Sequence, residues 1–311
     1  MATWNDILNE IRVSGSNYDI LRRTYLKKLA DLRNRNVIVY YSGWLQKPHL
    51  MNEAGVNVAI HDGDKNGFMS VIKGMDRTKG LDLILHTPGG DMAATESLVD
   101  YLRSMFGTDI CAFVPQLAMS GGTMIACACK EIWMGKESSL GPIDPQVGNL
   151  PATAILEEFE RAAREIKADS TKALVWQPII NKLAPSAITQ CEDAIRWGTQ
   201  VASRWLETAM FKDRVDAAGD AAKTVADLTD KAKNHTHGRH LNAETAKSYG
   251  LEIRMLEDDQ GLQDAVLSVH HANCVTLEAT RAYKIIENQD GVAFIQLVQQ
   301  LAIATPLIGN G

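Results

Sequence analysis

An α/β fold built around a parallel sheet follows from three features of this chain. Short, nearly unbroken apolar runs recur at residues 37–41, 81–86, 110–114 and 132–134. Segments with apolar residues at helical spacing separate them, and strands alternating with helices pair in parallel with both faces covered. Two of the runs are followed by glycine-rich turns, Pro88-Gly89-Gly90 and Ser120-Gly121-Gly122, at the carboxyl ends of strands where open α/β sheets collect ligands.

The elements follow in order. Residues 1–35 read as a helical arm: Trp4, Ile7, Leu8 and Ile11 form one apolar stripe and Leu21, Tyr25, Leu29 and Leu32 another, with a break at Gly15. Arg22, Arg23, Lys27 and Lys28 are expected on its solvated face. The β-branched and aromatic run 37–41 favours a strand. Residues 64–79 read as a helix with Phe68, Val71, Ile72 and Met75 on one side, and 92–105 as another carrying Leu98, Leu102 and Met105. A small-residue helix is expected over 121–129. After Pro151 long helical periodicities take over at 155–166, 187–211 and 221–233, and 262–304 is expected to be mainly helical. The expected division is an arm over 1–35, an α/β core over 36–255 carrying a helical insertion at about 152–234, and a C-terminal helical extension over 256–311.

Composition bounds the function. The chain has 311 residues, 45% hydrophobic and 23% charged, enough apolar material for a sizeable core. Its 32 basic and 38 acidic residues leave a net charge of −6 with no basic run, which argues against a nucleic-acid partner. Five scattered cysteines, an odd number, fit reduced thiols in a cytoplasmic protein. The N-terminus does not read as a signal peptide, and the most apolar stretch, 292–308, is interrupted by Gln296, Gln299 and Gln300, so no transmembrane segment is expected.

The second glycine turn has a chemical logic. A serine placed where a strand gives way to a helix projects its hydroxyl into the cleft, backed by the free N–H groups and positive end of that helix. The N–H of Gly121, with that of Gly90 from the first turn, would support an oxyanion, the arrangement that stabilises acyl-transfer intermediates. Gly89 and Gly122 would let a substrate backbone lie close. No phosphate-binding or dinucleotide fingerprint is present, and no cofactor is expected. His235, His237 and His240 lack companion ligands at metal spacing and read as a polar turn before a helix capped by Asn242. Cys127 and Cys129 read as small core residues, His270-His271 as helix surface, and Asp144 as a brace for the loop beneath Ser120.

Taken together, Thr87-Pro88-Gly89-Gly90, Ala118-Met119-Ser120-Gly121-Gly122-Thr123 and the stretch from Ser138 to Gln146 resemble the ClpP/crotonase superfamily. More narrowly, with Tyr40-Tyr41-Ser42-Gly43-Trp44, they resemble Clp-fold serine proteases of the serine dehydrogenase proteinase branch, related to signal peptide peptidase A. The likeness is strong over about 36–148 and weaker at Gly238-Arg239 through Gly250-Leu251. It implies a spiral core of ββα units, a polypeptide substrate, a homo-oligomer, Ser120 as nucleophile, and an oxyanion hole from Gly90 and Gly121. The base is open. ClpP uses a Ser-His-Asp triad, but Asp144 stands near the histidine's place and no histidine occurs between His86 and His235. The peptidase A group uses a Ser-Lys dyad, for which Lys172, beside Ala173-Leu174-Val175-Trp176, is preferred over Lys167, because burial makes a lysine neutral. His240 is a further alternative. Two other readings stand beside the peptidase: an acyl-CoA hydratase or isomerase, which would not need Ser120, and a catalytically silent, peptide-binding scaffold subunit.

Overall fold

The apolar runs assemble into one mixed sheet, seen in a computed structural model that describes residues 3–14, 17–53, 55–148 and 150–298. Helices α1 (Trp4–Ser14) and α2 (Tyr18–Arg33) precede strand β1 (Asn36–Ser42). Helix α3 (Asp64–Ile72), β2 (Leu81–His86), α4 (Met92–Phe106), β3 (Ile110–Val114), the short β4 (Leu117–Ala118), α5 (Gly121–Cys127), β5 (Glu131–Met134) and β6 (Ser139–Leu140) follow. A small hairpin, β7 (Gln146–Val147) and β8 (Leu150–Pro151), leads into α6 (Ala152–Ala168), α7 (Ala173–Ile180), α8 (Ala187–Thr208), α9 (Ala217–Thr229) and α10 (Lys231–Asn234). The chain ends with α11 (Ala243–Ser248), β9 (Ile253–Met255), α12 (Gln260–Ala279), β10 (Ala282–Asn288) and β11 (Ala293–Leu297).

The main sheet has the order β11-β10-β1-β2-β3-β5-β9. From β1 to β9 the pairs are parallel, as the alternation of strands and helices predicts. β1 and β2 are buried along their whole length, which explains why they read as continuous apolar runs. Ile38, Tyr40, Leu83, Leu85, Ala112 and Val114 face one core with α3, α4 and α5, while Val37, Val39, Tyr41, Ile84 and Phe113 face another with α2 and α12. After β2, β3 and β5 the chain turns into a second, short layer. There Ile60 bridges Gly90, Thr87 bridges Ala118, β4 pairs with β6, and Leu140 bridges Leu241. Each long strand followed by a short one and a helix is the expected ββα unit.

The C-terminal segment differs from expectation. Among the described residues from 262 on, α12 is followed by strands rather than helix: β10 and β11 add two antiparallel strands to the sheet, β10 beside β1 and β11 outside it. The run Tyr283-Lys284-Ile285-Ile286 places apolar residues around a lysine in a pattern that periodicity alone does not separate from a buried helix. Residues 299–304 of the expected helix, and Gly15, lie outside the described residues.

Arg22 is a second correction. It is fully buried rather than solvated, in an ion pair with Glu287, which is also fully buried and accepts from Arg23 Nε at 2.8 Å. Arg22 also donates to Thr276 at 3.3 Å, so one guanidinium ties α2 to β10 and α12. Leu32, placed on the apolar stripe by spacing, is 57% exposed, and Leu26 is buried instead. His270 is not helix surface: it is buried, with Nδ1 3.0 Å from the Tyr41 hydroxyl and its ring edge-on to His86. His86 itself is enclosed between Tyr41 and Trp44, and among the described residues neither ring nitrogen has a partner.

Two predictions follow from these buried groups. Glu287→Ala removes the buried partner of Arg22 and leaves it only the half-exposed Asp19, 3.0 Å away, so it should lower unfolding stability by about 3–5 kcal/mol, read from urea midpoints. Burial pushes the His86 imidazole down to about 3 and lowers that of His270 well below its usual value. Both protonate near pH 6.5 once unfolded. Their folded-state values being depressed, stability is fully present above that range and is lost as pH falls through it. Between pH 6 and 5 the loss attributable to each should approach about 1.4 kcal/mol per pH unit. His86→Phe should remove one share of that slope; a variant with the wild-type slope would contradict the assignment.

Candidate active site

Ser120 sits at the junction of β4 and α5 with φ 50° and ψ −113°, a conformation that a side chain rarely adopts. Such a backbone costs about 1–3 kcal/mol and persists only where its surroundings hold it. Here they do. Met119 N–H donates to Thr87 O at 3.0 Å, Gly122 N–H to Met119 O at 2.8 Å, and Met124 N–H to Ser120 O at 3.0 Å. The buried Thr123 hydroxyl donates to Ala118 O at 2.7 Å and accepts from Gly141 N–H at 2.9 Å, pinning the turn from below. Among the described residues the Ser120 hydroxyl has no hydrogen-bond partner. It opens into a cleft of about 370 Å³ whose walls include Met92, Met124, Ile143, Asp144 and, from α8, Trp197.

The first glycine turn lies directly against this one. A Cβ built on Gly89, whose φ is +95°, would fall 2.6 Å from Ser120 Cβ and 2.9 Å from Gly121 N, so only glycine fits. Gly90 is equally enclosed on its other side, where a Cβ would meet Ile60 N at 2.3 Å. Ile60 N–H donates to Gly89 O at 2.8 Å, and Asp91 N–H donates to Ile60 O at 2.9 Å. A Cβ on Gly121 would lie 3.3 Å from Gly90 N, which places the two glycine peptides side by side at the cleft. Among the described residues, neither the Gly90 nor the Gly121 N–H has an acceptor. Gly89 and Gly122, expected to contact substrate, also make close contacts inside the turns. Gly89 N–H donates to Thr87 Oγ1 at 3.2 Å, and a Cβ on Gly122 would strike Thr87 Cγ2 at 2.5 Å.

Asp144 lines the same cleft, and His237 Nδ1 lies 2.7 Å from its Oδ1. The other carboxylate oxygen accepts from Gln146 Nε2 at 2.9 Å. The fold brings this pair together through the antiparallel bridge of Leu140 with Leu241: Asp144 stands as far after Leu140 as His237 stands before Leu241. His235, two residues earlier, has φ 61°, so two of the three non-glycine residues with positive φ among the described residues, Ser120 and His235, lie at or beside this site. His237 is partly buried, and its Nε2 has no partner among the described residues. Sequence reasoning singled out His237 as part of a histidine cluster and read it as a polar turn, weighing a metal-ligand role but no catalytic one. The signal it passed over was the order: a carboxylate where a histidine was sought, and a histidine further on.

Lys172 stands elsewhere. It ends a short turn after α6, its side chain is half exposed, and its Nζ lies 3.8 Å from Glu165. The apolar setting expected for it does not form, because Leu174 and Val175 are 77% and 61% exposed. Lys167 and His240 are exposed as well; like His237, none of the three lines the cleft itself, but His237 alone among these candidates is hydrogen-bonded to a residue that does, Asp144. Cys127 and Cys129 are buried core residues, as expected. Among the described residues, no helix is long and apolar enough to cross a membrane.

Comparison with known proteins agrees with this architecture. A family model described as ClpP-like SDH-type serine proteinase matches residues 12–257. An uncharacterized protein of Methanocaldococcus jannaschii is 28% identical over 236 residues, covering 75% of this chain and 73% of that protein. A second uncharacterized protein of that organism is 32% identical over 175 residues, covering 56% of this chain and 51% of its own length. A mixed α/β core with short second-layer strands, a strained serine between two glycine turns and a family match over most of its length lead to one conclusion: the chain belongs to the ClpP-like SDH-type serine proteinases.

Proposed function

We propose that the protein is a serine endopeptidase that cleaves polypeptides through an acyl-enzyme, with Ser120 as nucleophile, His237 as general base and Asp144 as the group that orients it. The observation that carries this reading is the convergence, in one cleft, of an unengaged serine hydroxyl with two unengaged backbone N–H groups, those of Gly90 and Gly121. Asp144 has both oxygens occupied, by His237 and Gln146, which suits it to holding an imidazole in one tautomer rather than to taking a proton itself. His237 keeps Nε2 for that task.

In this reading Ser120 Oγ attacks the scissile carbonyl carbon while its proton passes to His237 Nε2. The carbonyl oxygen, now negative, is received by the Gly90 and Gly121 N–H groups at the positive end of α5. The intermediate collapses as the carbon–nitrogen bond breaks and His237 returns the proton to the leaving amine. Water, deprotonated by the same imidazole, then releases the acyl group and restores the serine. In the free enzyme Ser120 makes no hydrogen bond to His237, a contact that often tightens only when substrate binds. Met92, Met124, Ile143 and Trp197 give the cleft an apolar wall, fit for a large apolar side chain beside the scissile bond. Five free, buried cysteines support a reducing, cytoplasmic setting. The exposed Leu174, Val175 and Ile179 of α7 supply a face for the homo-oligomer.

Peptide-library cleavage by four variants tests the assignment. Ser120→Ala should abolish turnover, and His237→Ala and Asp144→Asn should each lower kcat by about 10²–10⁴-fold. Lys172→Ala should stay within about twofold of wild type, since its side chain meets solvent and Glu165. Loss of activity in Lys172→Ala with His237→Ala unaffected would reverse the choice of base.

A further inference from the structure

We propose that Lys284, on β10, is a positioning residue for the oxyanion hole: its ammonium anchors residues 59–61, the connecting segment whose Ile60 bridges Gly90. The inference rests on the peptidase reading above and adds a residue that lies outside the stretch matched by the family.

The geometry runs in one line from the sheet to the cleft. Lys284 is wholly buried, and its Nζ donates to Ala59 O at 2.8 Å and to Asp64 Oδ1 and Oδ2 at 2.8 and 3.0 Å. Asp64, at the start of α3, also accepts from the Tyr40 hydroxyl at 2.7 Å and from His61 N–H at 3.1 Å. A strand alternates the direction of its peptide groups. Accordingly Ala59 O and His61 N–H point toward the ion pair, while the N–H and C=O of Ile60, between them, point the other way. Those two groups bond Gly89 O and Asp91 N–H, on either side of Gly90. The Ile60 side chain reaches the second donor too, with Cδ1 3.3 Å from where a Gly121 Cβ would be. Residues 59–61 are thus held on one edge by a buried ion pair and on the other by the peptide that presents the Gly90 N–H.

A buried charge pair is an expensive way to hold a loop when apolar packing would do. This one ends on two backbone groups that lie one peptide away from the oxyanion donors, where a displacement of about 1 Å costs about 100-fold in rate. The effect of losing it should therefore fall on kcat rather than on substrate affinity.

The double variant Lys284→Met/Asp64→Asn removes both charges together and leaves no unpaired ion in the core. With a chromogenic ester substrate, its acylation rate should fall at least tenfold, with KM within about threefold of wild type. Amide exchange at Ile60 and Asp91 should quicken at least tenfold, while that of Ile132, bonded to Glu252 O across the far sheet edge, stays unchanged. Lys284→Arg, which keeps the charge, should recover part of the rate. A folded double variant with an acylation rate within twofold of wild type overturns the proposal, whether or not exchange at Ile60 changes. If the double variant does not fold, Asp64→Asn alone should lower kcat threefold or more at constant KM, and an unchanged kcat overturns the proposal equally. Wild-type protein with no acylation that depends on Ser120 would instead overturn the peptidase reading, and this inference with it.

Discussion

Two turns occupy space that only backbone can share. The Gly89-Gly90 peptide passes so close to Met119-Ser120-Gly121 that a single added carbon on Gly89 would fall inside the serine's own Cβ contact distance. Ser120 is held at a positive φ by that neighbour, by Thr87 on the same strand extension, and by Thr123 beneath it. Release of any of these would let the serine relax by about 1–3 kcal/mol into an ordinary conformation and turn its hydroxyl out of the cleft. The same closeness leaves the Gly90 and Gly121 N–H groups adjacent and, among the described residues, without partners. An arrangement of this kind stabilises charge in the transition state because its dipoles are already in place.

The rest of the molecule keeps the two turns in register. The parallel strands β2 and β3 deliver them to the same carboxyl-terminal end of the sheet, and the short second layer then ties Ile60, Gly90, Thr87, Ala118, Leu140 and Leu241 together by single bridges and the short β4–β6 pair. That layer also sets Asp144 opposite His237, so the proposed orienting pair is a consequence of strand register rather than of a dedicated loop. On opposite faces of the sheet, buried ions at Arg22–Glu287 and Lys284–Asp64 fasten β10 to α2 and α3. Burial of this sort is costly unless each charge is paired, which both are.

Much of this was legible in the sequence because the signals were local. The runs at 37–41, 81–86 and 110–114 carry β-branched and aromatic residues, and each became a strand within a residue or so; Asn242 caps its helix through Thr245 N–H as its type predicts. Ser120, Gly90 and Gly121 announced themselves by sitting in glycine turns after strands. What was not legible depended on distant partners. Arg22 looked like a surface cation because nothing within its helix reveals Glu287, 265 residues away. The stretch holding β10 and β11 reads as helix because its apolar pattern is set by distant pairing, of β10 with β1 and of β11 with β10. Lys172 attracted interest through apolar neighbours in sequence that in the fold face solvent. The proposed base, His237, was not legible because its partner Asp144 is fixed by a bridge between residues 140 and 241, which sequence spacing does not display.

The most direct test of the convergence at the cleft is the structure of an adduct. A fluorophosphonate should label the protein once, on Ser120, with the phosphoryl oxygen within hydrogen-bond distance of both the Gly90 and Gly121 nitrogens and His237 turned toward the serine oxygen. No adduct on Ser120, or an adduct whose oxygen points away from the two glycines, would contradict the account.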